Sequence, residues 1–354
     1  MTRRLLVTGG AGFIGRAVVG AALAAGWEVR VLDSLRSDVH GETAPLPDRV
    51  EFVRGDVTSS DDVASALDGV EVVSHQAAKV GLGVNFSEAP DYVRSNVLGT
   101  SVLLAAMTDA SVRRLVLASS MVVYGEGSYA AGGRRVRPPA RRAADLDAGR
   151  FEPLDPATGR PLEPMLVSED DGVDPRNVYA ATKLAQEHLA AAWVIATGGS
   201  AAALRYHNVY GPGMPQNTPY AGVASLFRSA LERGEAPRVY EDGAQRRDFV
   251  HVRDVASAGI AALDWTARFE GAFRPFNVGS GVVHTVGDLA NELSRGRGGP
   301  EPIITGEYRL GDVRHITASS ARLRDELGWT ACVSFEDGMR EFATAPLRPA
   351  VAAG

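Results

Sequence analysis

The sequence predicts an α/β fold built on a doubly wound parallel sheet, with a smaller C-terminal α/β domain beside it. Short apolar segments with strand character alternate with helical segments over most of the first 207 residues. Such alternation is typical of a parallel sheet covered by helices on both faces. A glycine-rich turn joins the first strand to the first helix, and the length of 354 residues suits about two domains.

The first strand is predicted at 4–8 and the first helix at 13–25, where Gly26 supplies a C-terminal stop. Further strands are predicted at 28–32, 50–54, 70–74, 114–118 and 201–206, and helices at 61–67, 91–109 and 175–197. Weaker patterns predict helices at 222–233, 286–295 and 319–327 and strands at 247–252 and 275–278. Residues 126–170 are rich in Arg, Pro and Gly and show no sustained period. They predict either an ordered insertion over the functional site or a partly mobile flap.

Bulk composition excludes several classes of protein. The formal net charge of −6 argues against a nucleic-acid binder, which would carry an excess of basic residues. The single cysteine, Cys332, cannot form an internal disulfide and fits a reducing, cytoplasmic location. The seven histidines show no metal-ligand spacing, so no metal site is predicted. No stretch approaches the roughly 20 apolar residues of a membrane span, and the N-terminal apolar run is too short for a signal peptide.

The turn after the first strand has the spacing of a dinucleotide-binding motif. Gly9, Gly12 and Gly15 give the pattern G-x-x-G-x-x-G, with Phe13 and Ile14 between the last two. The glycines would permit the tight turn, the approach of a pyrophosphate to the backbone and the close packing of helix on strand. The N-terminus of the helix would offer N–H groups to the phosphates. The motif therefore predicts a Rossmann fold that binds a nicotinamide dinucleotide.

Two aspartates that follow strands are candidates for the adenosine end of that cofactor. Asp33 could accept hydrogen bonds from both ribose hydroxyls and would repel a 2′-phosphate, which favours NAD over NADP. A turn cap is the alternative for Asp33, and the nearby Arg36 weakens the discrimination. Asp56 could contact the adenine amino group or cap a turn. The adjacent residues Ser34 and Val57 are assigned to the same site.

A Tyr-x-x-x-Lys motif supplies the predicted catalytic pair. Tyr179 and Lys183 lie one turn apart on a predicted helix. A lysine ammonium and the positive nicotinamide of NAD⁺ both lower the pKa of a phenol, so Tyr179 could take a proton from a sugar hydroxyl. Ser120 follows a strand at the edge where parallel sheets bind ligands. We expect Ser120 to contact the reacting hydroxyl or pass its proton to Tyr179, unless it only satisfies loop backbone groups.

Other residues near strand ends are assigned to the cofactor. Ala77 and Ala78 are small enough to let it pass closely, and Lys79 and Ser119 occupy similar positions. Asn96 is polar within an apolar helix. We interpret Asn96 as a buried structural hydrogen-bonding residue first and as a cofactor ligand second.

Together these motifs resemble the extended short-chain dehydrogenase/reductases that act on nucleotide sugars. The resemblance runs over nearly the whole chain, through segments 9–15, 33, 56, 77–78, 96–100, 119–120, 179–183, 205–212, 247–255 and 276–281. It implies that Tyr179, Lys183 and Ser120 perform the chemistry with NAD, and that His207 contacts the cofactor. It also implies that Asn208 and Arg247 face the diphosphate of a nucleotide sugar. Arg314 is a further phosphate or sugar candidate, with a surface ion pair as its alternative.

The resemblance also separates the possible reactions. The 4,6-dehydratases of this family resemble Thr-Asp-Glu-Val-Tyr-Gly where this chain has Ser-Met-Val-Val-Tyr-Gly from Ser120 onward, and the decarboxylases use a nearby Glu. Met121 and Val122 cannot transfer protons, so the resemblance implies 4-epimerisation. Hydride would pass from C4 to NAD⁺, the 4-keto sugar would turn, and hydride would return to its other face. A 4-keto-sugar reductase, a 4,6-dehydratase and a non-catalytic dinucleotide-binding regulator remain as alternatives.

The insertion adds a finer resemblance. Residues 149–153 and the long interval before Tyr179 are similar to the dTDP-L-rhamnose 4-epimerases, and more distantly to UDP-sugar 4-epimerases. The expected substrate is therefore a dTDP- or UDP-linked hexose or deoxyhexose. Members of the family usually form homodimers through a four-helix bundle, which here would use the helices near 91–109 and 177–197.

The expected domain division follows from the same resemblance. Residues 1–207 and 245–280 are assigned to the NAD-binding domain. Residues 208–244 and 281–354 are assigned to the domain that binds the nucleotide sugar.

Overall fold

A computed structural model describes residues 3–36, 40, 46–81, 86–216 and 222–349. Its first part follows the predicted alternation, in the order β1 (Arg4–Thr8), α1 (Phe13–Ala24), β2 (Glu28–Asp33), β3 (Glu51–Arg54), α2 (Ser60–Ala66), β4 (Val72–His75), α3 (Ala89–Tyr92), α4 (Gly99–Asp109) and β5 (Arg114–Ser120). A π-helical segment, Val93–Leu98, joins α3 to α4, so the helix predicted at 91–109 is confirmed with a widened middle.

The insertion is ordered and has secondary structure of its own. It contains β6 (Ser128–Ala131), β7 (Arg134–Val136), α5 (Ala143–Asp147) and β8 (Glu163–Met165). The three strands form a small antiparallel sheet with β6 in the centre. Strands of three or four residues are too short for a period to emerge from the sequence, which is why the pattern did not predict them.

The second half of the chain contains α6 (Val178–Thr197), β9 (Ser200–Tyr206), β10 (Asn208–Tyr210), α7 (Gly222–Glu232), β11 (Arg238–Val239), β12 (Arg246–Arg247), β13 (Phe249–His251), α8 (Val252–Arg268), β14 (Phe273–Val278), β15 (His284–Thr285), α9 (Val286–Arg297), β16 (Ile303–Ile304), α10 (Ala321–Leu327) and α11 (Phe335–Thr344). Helices α8 and α11 were absent from the sequence prediction. The strand predicted at 247–252 ends early because His251 caps α8, its side chain accepting a hydrogen bond from the Arg253 N–H.

The central sheet has seven parallel strands in the order β14-β9-β5-β4-β1-β2-β3, which confirms the predicted doubly wound fold. The chain runs outward from β1 through β2 and β3, then returns to β4 on the other side of β1. This reversal is the switch point at which such sheets open a binding crevice. Thr8 at the end of β1 lies opposite His75 at the end of β4, so these two strands end together there.

Alternate residues of β1 pack into two separate cores. Leu5 and Val7 belong to the cluster beneath α1 and α8, whereas Leu6 belongs to the cluster beneath α4 and α6. Both faces of the sheet are therefore buried, as a parallel sheet requires. A third cluster lies between α7, α9 and α11 and forms the core of the smaller C-terminal part.

The segment around α10 packs on the sheet rather than on that third cluster, through Leu323 and Trp329. The domain boundaries given above stay a prediction. Within the described part of the chain, no helix combines the length and the apolar character needed to cross a membrane.

Candidate active site

A cavity of about 1330 Å³ follows the carboxyl ends of the sheet strands and continues toward the third cluster. The predicted site residues that line it are Gly9, Gly12, Phe13, Ile14, Gly15, Asp33, Ser34, Asp56, Val57, Ala77, Ala78, Lys79, Ser119, Ser120, Tyr179, Lys183, His207, Asn208 and Arg247. Two further candidates, Asn96 and Arg314, lie outside its wall. The residues chosen from strand ends and motifs are thus brought to one place by the topology of the sheet.

The glycine turn is packed too tightly for side chains. Gly9 has φ of +67°, and a Cβ on it would lie 2.6 Å from the Ala77 nitrogen. A Cβ on Gly15 would lie 2.2 Å from the Gly9 carbonyl oxygen. Gly12 forms the N-cap of α1, where no side chain caps the helix. The turn therefore leaves a bare helix N-terminus facing the cavity, which suits a pyrophosphate.

The Asp33 carboxylate accepts hydrogen bonds from the backbone of the glycine turn and also lines the cavity. Its Oδ2 accepts a hydrogen bond from the Ala11 N–H at 3.0 Å, and its Oδ1 accepts one from the Leu35 N–H at 2.9 Å. Oδ1 also lies 3.5 Å from His40 Nε2, whereas Oδ2 retains a second lone pair that can accept from a ribose hydroxyl. Asp56 caps its own turn, since Oδ1 accepts from the N–H and the hydroxyl of Thr58 at 2.8 Å.

Both polar atoms of the Asn96 side chain form hydrogen bonds within the protein. Its Oδ1 accepts from the Lys79 N–H at 2.7 Å, and its Nδ2 donates to the Lys79 carbonyl and to the Thr182 hydroxyl. Asn96 is completely buried. It therefore fixes the loop after β4 against α6 and acts on the cavity only through Lys79, whose Nζ pairs with Asp91 at 2.6 Å.

Tyr179, Lys183 and Ser120 converge where β5 ends beside α6. Asn177 caps α6 by accepting from the Ala180 N–H, which fixes the first turn that carries Tyr179. Lys183 Nζ donates to the Ala118 carbonyl at 2.9 Å and lies 6.0 Å from the centre of the Tyr179 ring.

Burial opposes ionisation of both candidate catalytic groups, Tyr179 and Lys183. Burial raises the pKa of Tyr179 to about 12, although a hydrogen bond with Ser120 lowers it. Burial likewise lowers the pKa of Lys183 to about 7, against the opposing charge of Glu187. The protein alone therefore leaves the phenol protonated near neutral pH, and the positive nicotinamide is the charge that would bring its pKa down.

A buried polar network that the motifs did not reveal supports this pair from behind. Glu187, one turn after Lys183, accepts from the Ser119 hydroxyl and from the Arg205 guanidinium. Arg205 also donates to the Tyr124 hydroxyl at 2.8 Å, and Tyr124 donates to Asn277 Oδ1 at 2.7 Å. The network joins α6 to the ends of β5, β9 and β14, so it sets the position of the catalytic helix against the sheet.

On the opposite side of the cavity the predicted substrate residues behave differently. Asn208 lines the cavity, and its buried Oδ1 has no hydrogen-bond partner among the described residues. A buried amide oxygen without a partner is costly, so it favours a ligand donor at this point. Arg247 lines the same wall and is held by the carbonyls of Val313 and Arg314 at 2.8 and 2.9 Å.

Arg314 does not face the cavity. It is completely buried and is surrounded by carboxylates, contacting Glu152 at 2.6 Å, Glu241 at 2.8 Å and Asp242 at 2.8 Å. Its Nε and both Nη atoms are used in these contacts, so no donor remains for a phosphate. Neither predicted role of Arg314 fits this placement, because it joins the insertion to the C-terminal loops as a buried ionic centre. His207 lines the cavity as a neutral imidazole, since burial lowers its pKa to about 3.

Comparison with known proteins decides the family. The sequence profile described as the NAD dependent epimerase/dehydratase family matches residues 5–279. The chain belongs to this family. The family is NAD dependent, which confirms the predicted cofactor.

Individual relatives match this chain over nearly all of its length. A dTDP-L-rhamnose 4-epimerase of Burkholderia thailandensis is 38% identical over 97% of this chain and 94% of its own length. A dTDP-glucose 4,6-dehydratase of Streptomyces niveus is 30% identical over 96% of the chain and 91% of its own. Among solved structures, the UDP-glucose 4-epimerase of Thermus thermophilus in complex with NAD has a TM-score of 0.77 at 30% identity, covering 96% of this chain and 97% of its own. These similarities confirm the resemblance to nucleotide-sugar epimerases.

Proposed function

We propose that this protein is an NAD-dependent nucleotide-sugar 4-epimerase. The observation that carries the proposal is the pairing of a Tyr179–Lys183–Ser120 site with two residues, Met121 and Val122, that have no exchangeable proton. Both of these residues line the cavity directly after Ser120. Loss of water from a sugar needs an acid and a base beside the ring in addition to the tyrosine, whereas epimerisation at C4 needs only one group that takes and returns the hydroxyl proton.

Each catalytic side chain has a defined task. Tyr179 removes the proton of the C4 hydroxyl and later returns it, while Ser120 orients that hydroxyl through its own hydrogen bond. Lys183 holds positive charge beside Tyr179 and stabilises the tyrosinate. Bound NAD⁺ would supply both the hydride acceptor and the hydride donor for C4, so the overall reaction would involve no net oxidation. The glycine turn and Asp33 hold the cofactor, and Asn208 and Arg247 hold the diphosphate of the substrate.

A dTDP-linked 6-deoxyhexose is the proposed substrate. The support is the 38% identical relative named as a dTDP-L-rhamnose 4-epimerase, together with the ordered insertion whose sequence resembles that group. In the structure the insertion supports the cavity wall from behind, since Arg141 pairs with Glu241 Oε1 at 2.8 Å and Glu241 lines the cavity. None of residues 126–170, all within the described part of the chain, lines the cavity itself, so we infer that the insertion acts on the substrate by positioning this wall.

A panel of nucleotide sugars tests the proposal. The purified protein is incubated with dTDP-L-rhamnose, UDP-glucose, UDP-galactose and dTDP-glucose without added reductant, and the ring protons are followed by NMR. Conversion of dTDP-L-rhamnose to its C4 epimer at constant NAD is the expected result. A stable 4-keto product with a C6 methyl from dTDP-glucose would show a dehydratase, and a reaction that starts only on addition of NAD(P)H would show a reductase.

We also propose that two copies associate through the helices that follow β4 and precede β9. Val93, Leu98 and Ile195 are exposed apolar residues on this helical pair. The pair is rigid, since Asn96 bonds Thr182 at 2.9 Å. Light scattering of wild type and of Leu98→Glu tests this: a dimer that becomes a monomer supports the interface, and a wild-type monomer contradicts it. The cytoplasmic location stays a prediction.

A further inference from the structure

The chain returns to the cofactor side of the cavity after its last helix. Following α11, the backbone pairs with the loop after β10: Arg348 N–H donates to the Met214 carbonyl at 3.0 Å, and Gln216 N–H donates to the Arg348 carbonyl at 2.9 Å. Gly213 N–H donates to the Pro346 carbonyl at 3.2 Å. Residues 346–349, here called the C-terminal strap, are thus held beside Met214 and Gln216, which line the cavity.

The strap lies next to the glycine turn. Leu347 packs against the third apolar cluster, and so does Phe13, the first residue of α1. Arg348 lines the same cavity as Gly12 and Phe13. The C-terminal strap and the N-terminus of α1 thus share one apolar cluster and one cavity.

The guanidinium of Arg348 lacks the partners that a buried cation needs. Its Nε and Nη1 are buried and have no hydrogen-bond partner among the described residues. Burial and the neighbouring Arg16 guanidinium lower the pKa of Arg348, whereas the Asp33 carboxylate raises it. Arg16 donates to the Ala11 carbonyl and Asp33 accepts from the Ala11 N–H, so both charges that act on Arg348 are bonded to the glycine turn. An anion between Arg348 and Arg16 would accept hydrogen bonds from Nε and Nη1 of Arg348. Its negative charge would also reduce the repulsion between the two guanidinium groups.

We propose that Arg348 binds the pyrophosphate of NAD, opposite the N-terminus of α1, and that the C-terminal strap thereby retains the cofactor. A guanidinium binds two phosphate oxygens at once, and the site so formed offers backbone N–H groups on one side and charged donors on the other. The inference rests on the proposed function only in placing NAD on the glycine turn. Retention suits a reaction in which NAD is regenerated in each cycle and does not have to leave.

Three ligands separate this role from a structural one. Protein freed of nucleotide with charcoal is titrated calorimetrically with NAD, ADP-ribose and adenosine, of which only the first two carry a pyrophosphate. In Arg348→Gln the Kd for NAD and for ADP-ribose is expected to rise by about tenfold or more, while that for adenosine changes by less than about twofold. Arg348→Lys keeps the charge without the bidentate fork and is expected to fall between wild type and Arg348→Gln.

A matched control and a folding measurement complete the test. Arg340 is an exposed arginine on α11 that pairs with Asp337 at 2.7 Å, so Arg340→Gln is expected to leave all three affinities unchanged. The thermal midpoint of nucleotide-free Arg348→Gln is expected not to fall, because Nε and Nη1 have no partner to lose. Unchanged NAD affinity in Arg348→Gln, an equal loss for adenosine, or a lower midpoint without nucleotide would each overturn the inference. Failure of the wild type to epimerise any sugar would overturn the proposed function and leave this result standing.

Discussion

Glu187 and Arg205 form a buried ion pair behind Lys183, with Oε2 and Nη2 at 2.7 Å and Oε1 and Nε at 2.9 Å. Both side chains are at least 94% shielded from solvent, with exposures of 3% and 6%. Glu187 lies on α6, one helical turn after Lys183. Its ion pair with Arg205 therefore fixes the position of α6 relative to the sheet. The network is a supporting structure for the site and touches the cavity only through Ser119.

Removing one partner of this pair is expected to destabilise the protein strongly. Glu187→Gln leaves the Arg205 cation buried without its counter-charge, which should lower the free energy of unfolding by about 3–5 kcal/mol. The measurement is urea unfolding followed by circular dichroism. Arg176→Gln removes the exposed pair with Asp174 and is expected to cost about 1 kcal/mol or less. Equal effects of the two substitutions would contradict the assignment of Glu187 as a buried support.

The fold and the position of Tyr179 and Lys183 in the cavity could be predicted because their signals are local in sequence. The glycine spacing, the strand ends and the Tyr-x-x-x-Lys turn each lie within a few residues of one another. Topology then brings strand ends together without further information. Helices α8 and α11 were missed although both begin with capped termini, at His251 and at Ser334. The loop-rich composition around them outweighed that signal.

The roles of the arginines could not be predicted because they depend on distant partners. Arg314 meets Glu152 from the insertion and Glu241 from the C-terminal part, 162 and 73 positions away. No motif around Arg314 records those carboxylates. Arg348 stands in a short C-terminal segment without any pattern, and its place in the cavity wall depends on backbone pairing with Met214, 134 positions earlier in the chain. A charged residue in a family motif thus predicts the region of the site more reliably than it predicts which side chain contacts the ligand.

Arg247 and Arg314 are expected to respond in opposite ways to substitution. Arg247→Gln should raise the KM for the nucleotide sugar by about tenfold or more, because a charged contact to the diphosphate is lost. Arg314→Gln should leave Asp242 without its cation, while Glu241 keeps Arg141 and Glu152 keeps His315. The free energy of unfolding should fall by about 1–3 kcal/mol, with KM near the wild-type value. Initial rates and urea unfolding on the same preparations separate the two effects. A stable Arg314→Gln protein with a raised KM would restore Arg314 to the substrate site.

Lys183 is expected to make stability depend on pH. Its pKa is lowered from the ordinary 10.5 to about 7 in the folded protein, so between those values the unfolded chain binds more protons than the folded one. Stability of the nucleotide-free protein should therefore rise with pH across this window, by at most about 1.4 kcal/mol per pH unit, with the full penalty present below it.

Lys183→Met removes the titrating amine and so measures its contribution to the pH dependence of stability. The variant should be more stable than wild type at the low end of the window, and the difference should shrink as pH rises, as measured by urea unfolding at several pH values. A difference that is constant with pH would mean that Lys183 is not held as a depressed, buried amine. Lys183→Arg serves as the control, because a guanidinium stays charged in the folded and unfolded states. The stability difference between Lys183→Arg and Lys183→Met should therefore not change with pH.

Tyr179→Phe is expected to abolish turnover while leaving the fold and the cofactor in place. The phenol is the only group at the reacting hydroxyl to which the mechanism assigns proton removal, so its loss should lower kcat by about 10²–10⁴-fold. NAD content after purification should match wild type, since the glycine turn and Asp33 are untouched. Tyr308→Phe removes an exposed hydroxyl that bonds Asp147 at 2.6 Å and should keep full activity. Wild-type turnover in Tyr179→Phe would exclude this tyrosine as the base, and unchanged biological activity without any turnover would support a dinucleotide-binding regulator.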